Sequence, residues 1–402
     1  MPMKGMVIRM KKTSNLITVI VFVGIMAILS VLFVLKKDDS FSEQENRDLQ
    51  TLPEFTIEAL IDGSYSKKIN SYFSDQFPFR DTFVGIKGIS ERALLKGENN
   101  EVLLGKDGFL AVRSFSVYDG KNQIGPTDYY FKKVLNAHFS SVKKLRSRLE
   151  EGGTEFAIMI PPRTIDVAAS KFNYPAENSD KLQAYIKEGL KDANYIDILP
   201  ILKTKLEDGE YVYYKTDHHF TTLGAYYSYC EVMKQFDLER DIIPLGDFTA
   251  EKVSDNYYGT TWSKSGFKFV APDSIYFYHY NNGDENEYTT VKDGSAFTGF
   301  YDRSLLGTKD KYSSFIGGNS FRTSITKTSG ADAGERPKLL LVKDSFGLSL
   351  APFLALHFDL EIVNVANMHS VSGLASEYGC DYVLIVYNTE NLISNRFLAY
   401  NS

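Results

Sequence analysis

The chain has 402 residues, 43% hydrophobic and 24% charged, which is enough apolar material for a large core and too much for a disordered chain. Its net charge of −6 hides an asymmetry: residues 1–37 carry six basic side chains and no acid, which leaves the remainder at −12. An acidic main domain has no basic footprint for phosphates, so nucleic acid is excluded as a partner.

Leu16 to Leu35 is an uncharged, apolar run of twenty residues. At 1.5 Å per helical residue it reaches roughly 30 Å, the thickness of a bilayer's hydrocarbon core. Four basic residues precede it, and the two that follow, Lys36 and Lys37, are offset by Asp38 and Asp39. The positive-inside bias makes residues 1–15 a cytoplasmic tail, 16–35 a single transmembrane helix, and the rest extracytoplasmic. A cleaved signal peptide is the alternative. The run is long for one, and no small-x-small cleavage site follows it.

Residues 36–54 are polar and read as a stalk, and one extracytoplasmic domain is expected over 55–402. Residues 55–115 mix short helical patterns with turns, and Gly105-Lys106-Asp107-Gly108 leads through Phe109-Leu110 into a strand. From about 127 an α/β rhythm begins. Phe131, Leu135, Val142, Leu145 and Leu149 share a helical face that Gly152-Gly153 ends. Phe156 to Ile160 is continuously apolar, as a buried parallel strand is, and Pro161-Pro162 closes it. A helix over 179–192 and strands at Tyr195 to Ile198 and Tyr211 to Lys215 are expected next. Leu223, Tyr226, Cys230 and Met233 then follow helical spacing. Residues 245–330, rich in Gly, Tyr, Ser, Thr and Asn, read as a β/loop insertion. The rhythm resumes with a strand at Leu339 to Val342, a helix to about His357, and strands near 360–365 and at Tyr382 to Tyr387.

The chemistry concentrates at two places. Lys343-Asp344-Ser345-Phe346-Gly347 puts a serine on a strand-to-helix turn, beside backbone N–H groups of Ser345 or Gly347 suited to an oxyanion. Thr216-Asp217-His218-His219-Phe220 places an Asp-x-His at the end of another strand. His219 is then the base that activates Ser345, and Asp217 the acid that fixes its tautomer. Ser345 as a helix cap is the plainer reading, and Asp344 reads as a structural carboxylate. His218 and His219, adjacent on an extended segment, would point to opposite faces, which argues against a shared metal. Cys230 and Cys380, with no CxxC or Cys/His cluster, give no metal site. They either pair or stay free. No cofactor is implied.

Thr216 to Phe220 resembles the signature of the DHHW protein family, which is similar to the SGNH-hydrolase-like acetyltransferases of alginate and exopolysaccharide O-acetylation. Ser42-Glu43-Gln44-Glu45-Asn46-Arg47, Phe77-Pro78-Phe79-Arg80, the Gly105–Gly108 turn, Pro161-Pro162-Arg163, Gly259-Thr260-Thr261, Lys309-Asp310-Lys311-Tyr312, Gly317-Gly318-Asn319 and Asp344-Ser345-Phe346 extend the match. The resemblance implies an α/β, SGNH-hydrolase-like parallel sheet flanked by helices. It is circularly permuted, because the acid and base precede the serine. It also implies a Ser345–His219–Asp217 triad, transfer of an acetyl group to a polysaccharide acceptor, and a membrane-bound O-acyltransferase as acyl donor. Phe220 stands where the family has Trp, keeping an aromatic ring without its N–H donor. A carbohydrate esterase with the same triad and a non-catalytic polysaccharide-binding or assembly protein are the competing functions.

Four further side chains are candidates for substrate or oxyanion contacts. Arg163 either touches an acyl or sugar oxygen or sits in an exposed ion pair. Asn319 either donates to the oxyanion or only makes a turn. Asn388 either reaches the same rim or ends a strand. Tyr301, like Trp262 and Tyr312, either stacks on sugar or packs in the core.

Overall fold

A computed structural model of the chain describes residues 2–42, 47–113, 129–172, 177–330, 332–367, 370–395 and 398. Glu43 to Asn46 of the sequence match and the Phe131 side chain lie outside what is described. Contacts divide the chain into two compact units, residues 1–90 and 91–402.

The first unit begins with the helix Pro2–Leu35, whose stretch Ser14–Leu35 is long and apolar enough to cross a membrane. Its apolar side chains from Leu16 to Leu35 are largely exposed, as lipid-facing residues are. Two polar side chains within it bond back to their own helix, Thr18 to the Ser14 carbonyl and Ser30 to the Met26 carbonyl. After it, Arg47 grips Asp75 with both guanidinium nitrogens (3.0 and 2.5 Å), and Gln76 donates to the carbonyls of Asp39 and Gln50. These bonds fasten the strand pair Phe41–Ser42 and Arg47–Asp48 to the helix Ser64–Asp75.

The second unit is built on one eight-stranded sheet. Its strands are β1 (Glu155–Met159), β2 (Tyr195–Ile196), β3 (Tyr288–Lys292), β4 (Ser295–Thr298), β5 (Arg322–Lys327), β6 (Lys338–Lys343), β7 (Asp359–Asn364) and β8 (Tyr382–Val386). The spatial order is β4-β3-β5-β7-β6-β8-β1-β2. Strands β7, β6, β8, β1 and β2 are parallel, whereas β3, β4 and β5 are antiparallel additions at one edge. The region expected as an insertion over 245–330 therefore extends the main sheet. It also supplies a separate ribbon, Phe248–Tyr257 paired with Asp273–Tyr280.

The apolar runs are continuous because both faces of the sheet are covered. Period-two alternation sends Ala157, Met159, Leu339, Leu341, Leu384 and Val386 into one core. Phe156, Ile158, Leu340, Val342, Val383 and Ile385 go into the other. The helices Leu199–Glu207, Thr222–Gln235 and Gly347–Ala355 contribute to the first core. The helices Tyr129–Glu151, Glu177–Leu190, Val371–Tyr378 and Thr389–Ser394 contribute to the second.

One expected strand differs. Residues 211–215 do not join the sheet, and only an isolated antiparallel bridge links Tyr213 to Phe220. The chain bends through 215–219 and returns on itself, so these residues are committed to a turn. Their apolar content comes from Val212, Tyr213 and Tyr214 packing inward. Cys230 and Cys380 are free thiols.

Leu341 is fully buried in the middle of β6. Leu341→Ala should lower unfolding free energy by about 2–5 kcal/mol, measured by urea titration. A loss under about 1 kcal/mol would mean that the sheet centre is not close-packed.

Candidate active site

Ser345 follows β6, a central strand of the sheet, and precedes the helix Gly347–Ala355. Gly347 is needed at this turn, since a Cβ there would lie 2.6 Å from the Lys343 Cβ. Ser345 is half-buried. Its hydroxyl donates to His219 Nε2 at 2.7 Å. His219 Nδ1–H donates to Asp217 Oδ1 at 2.5 Å, a direction fixed by the carboxylate, which only accepts. The bend at 215–219, rather than a strand end, delivers this Asp-x-His.

Asp217 is wholly buried and accepts four hydrogen bonds. Oδ1 takes the His219 N–H (3.1 Å) as well as Nδ1–H, and Oδ2 takes the Thr260 N–H (2.8 Å) and Oγ1–H (3.1 Å). Burial alone would raise its pKa. The adjacent imidazoles of His219 and His218 and the donated hydrogen bonds outweigh that and hold it well below the usual carboxylate range. His219 is lowered to about 4, first by burial and then by the neighbouring His218, against the pull of Asp217. At neutral pH the pair is therefore a carboxylate beside a neutral imidazole, with Nε2 bare to accept a proton.

Aromatic rings enclose the imidazole. Tyr312 stacks on His219 at 4.2 Å and 15°, and Phe346 lies at 4.7 Å. The Tyr312 hydroxyl bonds to Ser349. Phe220 packs edge-on against Phe346 at 5.0 Å, so the ring without an N–H keeps its packing place. A narrow cleft lies alongside, lined among others by His218, Thr261, Phe346, Arg163, Asn388 and Glu390.

The two adjacent histidines do not point apart. Their rings are 3.9 Å from each other, because the backbone bends here and the opposite-face rule holds only for extended chain. The ligand atoms of Asp217, His218 and His219 lie within 4.8 Å of one another. Both His219 nitrogens are engaged, however, and His218 Nδ1 bonds Thr260 Oγ1 at 2.9 Å.

The N–H donors of the serine turn are also distributed differently from expectation. Gly347 N–H donates to the Asp344 carbonyl and Phe346 N–H to the Asp344 carboxylate. The Ser345 N–H has no acceptor among the described residues, and it is the one suited to an oxyanion. Asp344 accepts from Asn388 N–H, Asn388 Nδ2 and Asn391 Nδ2, and burial raises its pKa.

The remaining candidates fall out unevenly. Asn388 borders the cleft, but its amide is spent on Asp344 and on capping the helix Thr389–Ser394. Arg163 is not in an exposed pair. It is 5% exposed and bonds Asp166 at 2.7 and 2.9 Å. Asn319 is exposed, with Oδ1 accepting from the buried Lys343 Nζ at 2.8 Å, and its NH₂ has no acceptor among the described residues. Tyr301 lies in the core, stacked on Phe277 at 4.0 Å and donating to the Tyr278 carbonyl. Trp262 is buried against Tyr258.

Sequence reasoning missed three supports. Thr260 supplies two donors to Asp217. Gly259 lets it approach, since a Cβ there would sit 2.2 Å from the Asp217 Cβ. Asp273 accepts from Tyr211 Oη, Lys215 N–H (3.0 Å), Thr216 N–H (2.7 Å) and Thr216 Oγ1–H (2.5 Å), and so pins the residue before Asp217. The Gly259-Thr260 pair was visible as a motif, but nothing local signalled Asp273.

The family model described as DHHW protein matches residues 116–365. Among solved structures, a DHHW family protein from Eubacterium siraeum DSM 15702 superimposes with a TM-score of 0.58 at 19% identity, over 75% of this chain and 95% of that one. Bacillus cereus PatB1 with a sulfonyl adduct also gives 0.58 at 19% identity, over 75% of this chain and 100% of that one. No curated protein sequence matches. The fold is thus the α/β fold shared with these two structures, a mostly parallel sheet flanked by helices as expected from the sequence.

Reaction of Ser345 with a sulfonyl fluoride, followed by mass spectrometry, should hold its rate down through pH 6.5 and fall to half only near pH 4, as His219 protonates. A midpoint near 6.5 would mean a solvated imidazole. Gly259→Ala should slow the same reaction by roughly a hundredfold by displacing Asp217. An unchanged rate would detach Asp217 from the activation of the serine.

Proposed function

The chain belongs to the DHHW protein family, and from that premise we propose that it is an extracytoplasmic O-acyltransferase that acetylates a cell-surface or secreted polysaccharide. The observation that carries this reading is the continuous hydrogen-bonded chain from Ser345 Oγ through His219 to Asp217. In it the hydroxyl has a neutral base at 2.7 Å and the base has a buried anion behind it.

Ser345 Oγ attacks the carbonyl of an acyl donor while its proton passes to His219 Nε2. The imidazolium formed is stabilised by Asp217. The oxyanion takes the Ser345 N–H, and the free NH₂ of Asn319 is the candidate second donor. Collapse releases the leaving group, which takes the proton from Nε2, and leaves an acyl-serine. A sugar hydroxyl then gives its proton to Nε2, attacks the acyl-serine and departs as the ester, and Ser345 regains its proton.

The helix Ser14–Leu35 serves as a membrane anchor with the second unit outside the cytoplasm. Cytoplasmic acyl donors do not reach that side, so the acyl group arrives through a membrane-bound O-acyltransferase held near the anchor. The acetyl group and the sugar acceptor rest on the resemblance of the family to polysaccharide O-acetyltransferases.

The test is hydrolysis of a chromogenic acetate ester by the full chain in detergent, with and without added polysaccharide. Ser345→Ala and His219→Ala should each lose at least about a hundredfold in kcat/KM, and polysaccharide should divert acetyl from water to sugar. Retained activity in Ser345→Ala would overturn the triad. Full triad activity with water as the sole acceptor would make the protein an esterase.

A further inference from the structure

The segment that follows the membrane-spanning helix turns its apolar side chains outward. The residues buried by the helix Arg80–Ala93 are Gly85 and Gly88. Phe83, Ile86 and Ile89, spaced along the outward side, are 46, 56 and 57% exposed. Phe79, just before the helix, is exposed as well, and Phe77 packs on Phe83 with ring centroids 6.0 Å apart. A helix whose outer side meets water carries the reverse pattern, and a continuous apolar face of this kind marks a surface that something covers.

The covering medium follows from where the segment is tied down. Phe33 lies inside the span Ser14–Leu35. Its ring stacks on Phe73 at 5.4 Å and meets Tyr72 edge-on at 5.6 Å. The end of the helix Ser64–Asp75 therefore sits at the depth of the span's last turn, and Phe73, 54% exposed, shares the surroundings of that turn. Polar bonds fix the same level. Tyr72 Oη donates to Asp38, and Gln76 and Asp39 exchange two hydrogen bonds at 3.0 and 2.9 Å, a few residues past the end of the span. The helix Arg80–Ala93 starts one turn later, so its apolar face begins beside this boundary. The outward face of Ser64–Asp75, by contrast, is polar, with Lys67, Ser71 and Ser74 exposed.

The charges beside the rings are paired. Lys36 and Arg80 border one cavity with Phe77 and Phe79, and Asp39 lies 2.7 Å from Lys36 and Asp81 3.5 Å from Arg80. These four charges cancel, so the face does not demand an anionic surface. Thr82, Lys87 and Ser90 are the polar residues among the exposed apolar ones, and a lysine there meets lipid phosphate while its stem stays among acyl chains. Aromatic rings with cancelled charges at their edge suit the zone where acyl chains meet zwitterionic headgroups. We propose that residues 73–89 form a membrane-lying platform, its apolar face inserted in the interface of a phospholipid bilayer on the side of the span's C-terminal end. This rests on the reading of Ser14–Leu35 as a membrane anchor. It makes the segment after the anchor a surface-bound element rather than a stalk free in water.

The experiment introduces one tryptophan at a time into the full chain, reconstituted in phosphatidylcholine vesicles with and without bromine in the upper acyl chains, which quenches indole on contact. The one native tryptophan, Trp262, is the background read from the unsubstituted protein. Phe83→Trp and Ile86→Trp should emit blue-shifted and lose about half their emission or more to the brominated lipid. Ser71→Trp, on the polar face of Ser64–Asp75, should lose none. Val31→Trp, inside the span, reports on the anchor itself. If Val31→Trp is quenched and Phe83→Trp and Ile86→Trp are not, the proposal is overturned and the anchor stands. Red emission would then place the face in water, and blue emission would place it against a second copy of the chain. Equal quenching of Ser71→Trp would also overturn it, since no particular face would be in contact with lipid. No quenching of Val31→Trp would overturn the anchor, and this proposal with it.

Discussion

Asp217 is a carboxylate with no solvent contact, and the loop that carries it and His219 is organised around keeping it charged. An isolated ion taken from water costs several kcal/mol even after relaxation, and here four donors from two segments replace the water. Each donor constrains something else. The Thr260 pair ties the start of the helix Thr260–Ser265 to the loop, which in turn requires a residue without Cβ at 259. The imidazole donor fixes the His219 tautomer and so decides which nitrogen faces the serine. A second buried carboxylate, Asp273, holds Thr216 from the other side, so the loop is held at the start of its bend as well as at Asp217.

The sheet supplies the opposite half of the site. β6 has parallel neighbours on both sides and is covered on both faces, so the position of Ser345 at its end is set by the buried centre of the sheet. Asp344 next to it is committed to hydrogen bonds within the fold. Its oxygens hold Asn388 and Asn391 and so couple the turn after β6 to the turn after β8. Lys343, one residue earlier, is buried with its pKa lowered to about 7 by loss of water, and it orients the Asn319 amide from below. Three consecutive residues, Lys343, Asp344 and Ser345, thus serve three separate elements, and the half-buried serine follows the two that are buried.

What was legible in the sequence follows from the range of the forces involved. The strands β1, β6 and β8 announced themselves because burial on both faces makes a run uniformly apolar, and Leu339 to Val342 needs no context to be read. The serine and the Asp-x-His were visible as short motifs, and the resemblance joined them across more than a hundred residues. Residues 211–215 misled because tyrosines packed under a bend have the same composition as tyrosines in a strand. His218 and His219 misled for the same reason, since the alternation rule was applied to chain that is not extended. Arg163 gave no sign of being buried, because its partner Asp166 sits in a short helical turn that no periodicity marks. Asp273 was invisible, as its role depends wholly on contacts with a loop 57 residues away. Tyr301 and Asn388 show the general limit: residue type suggests a chemistry, and only packing decides whether the side chain is already spent.

The central claim is that Ser345 carries the acyl group, and it is tested most directly by trapping that intermediate. The full chain in detergent would be mixed with an activated acetyl ester, quenched in acid and mapped by peptide mass spectrometry. The account predicts one acetyl group on Ser345 in the wild-type protein and none there when His219 is replaced by alanine. Acetyl found on another residue, or on Ser345 to the same extent without His219, would contradict it.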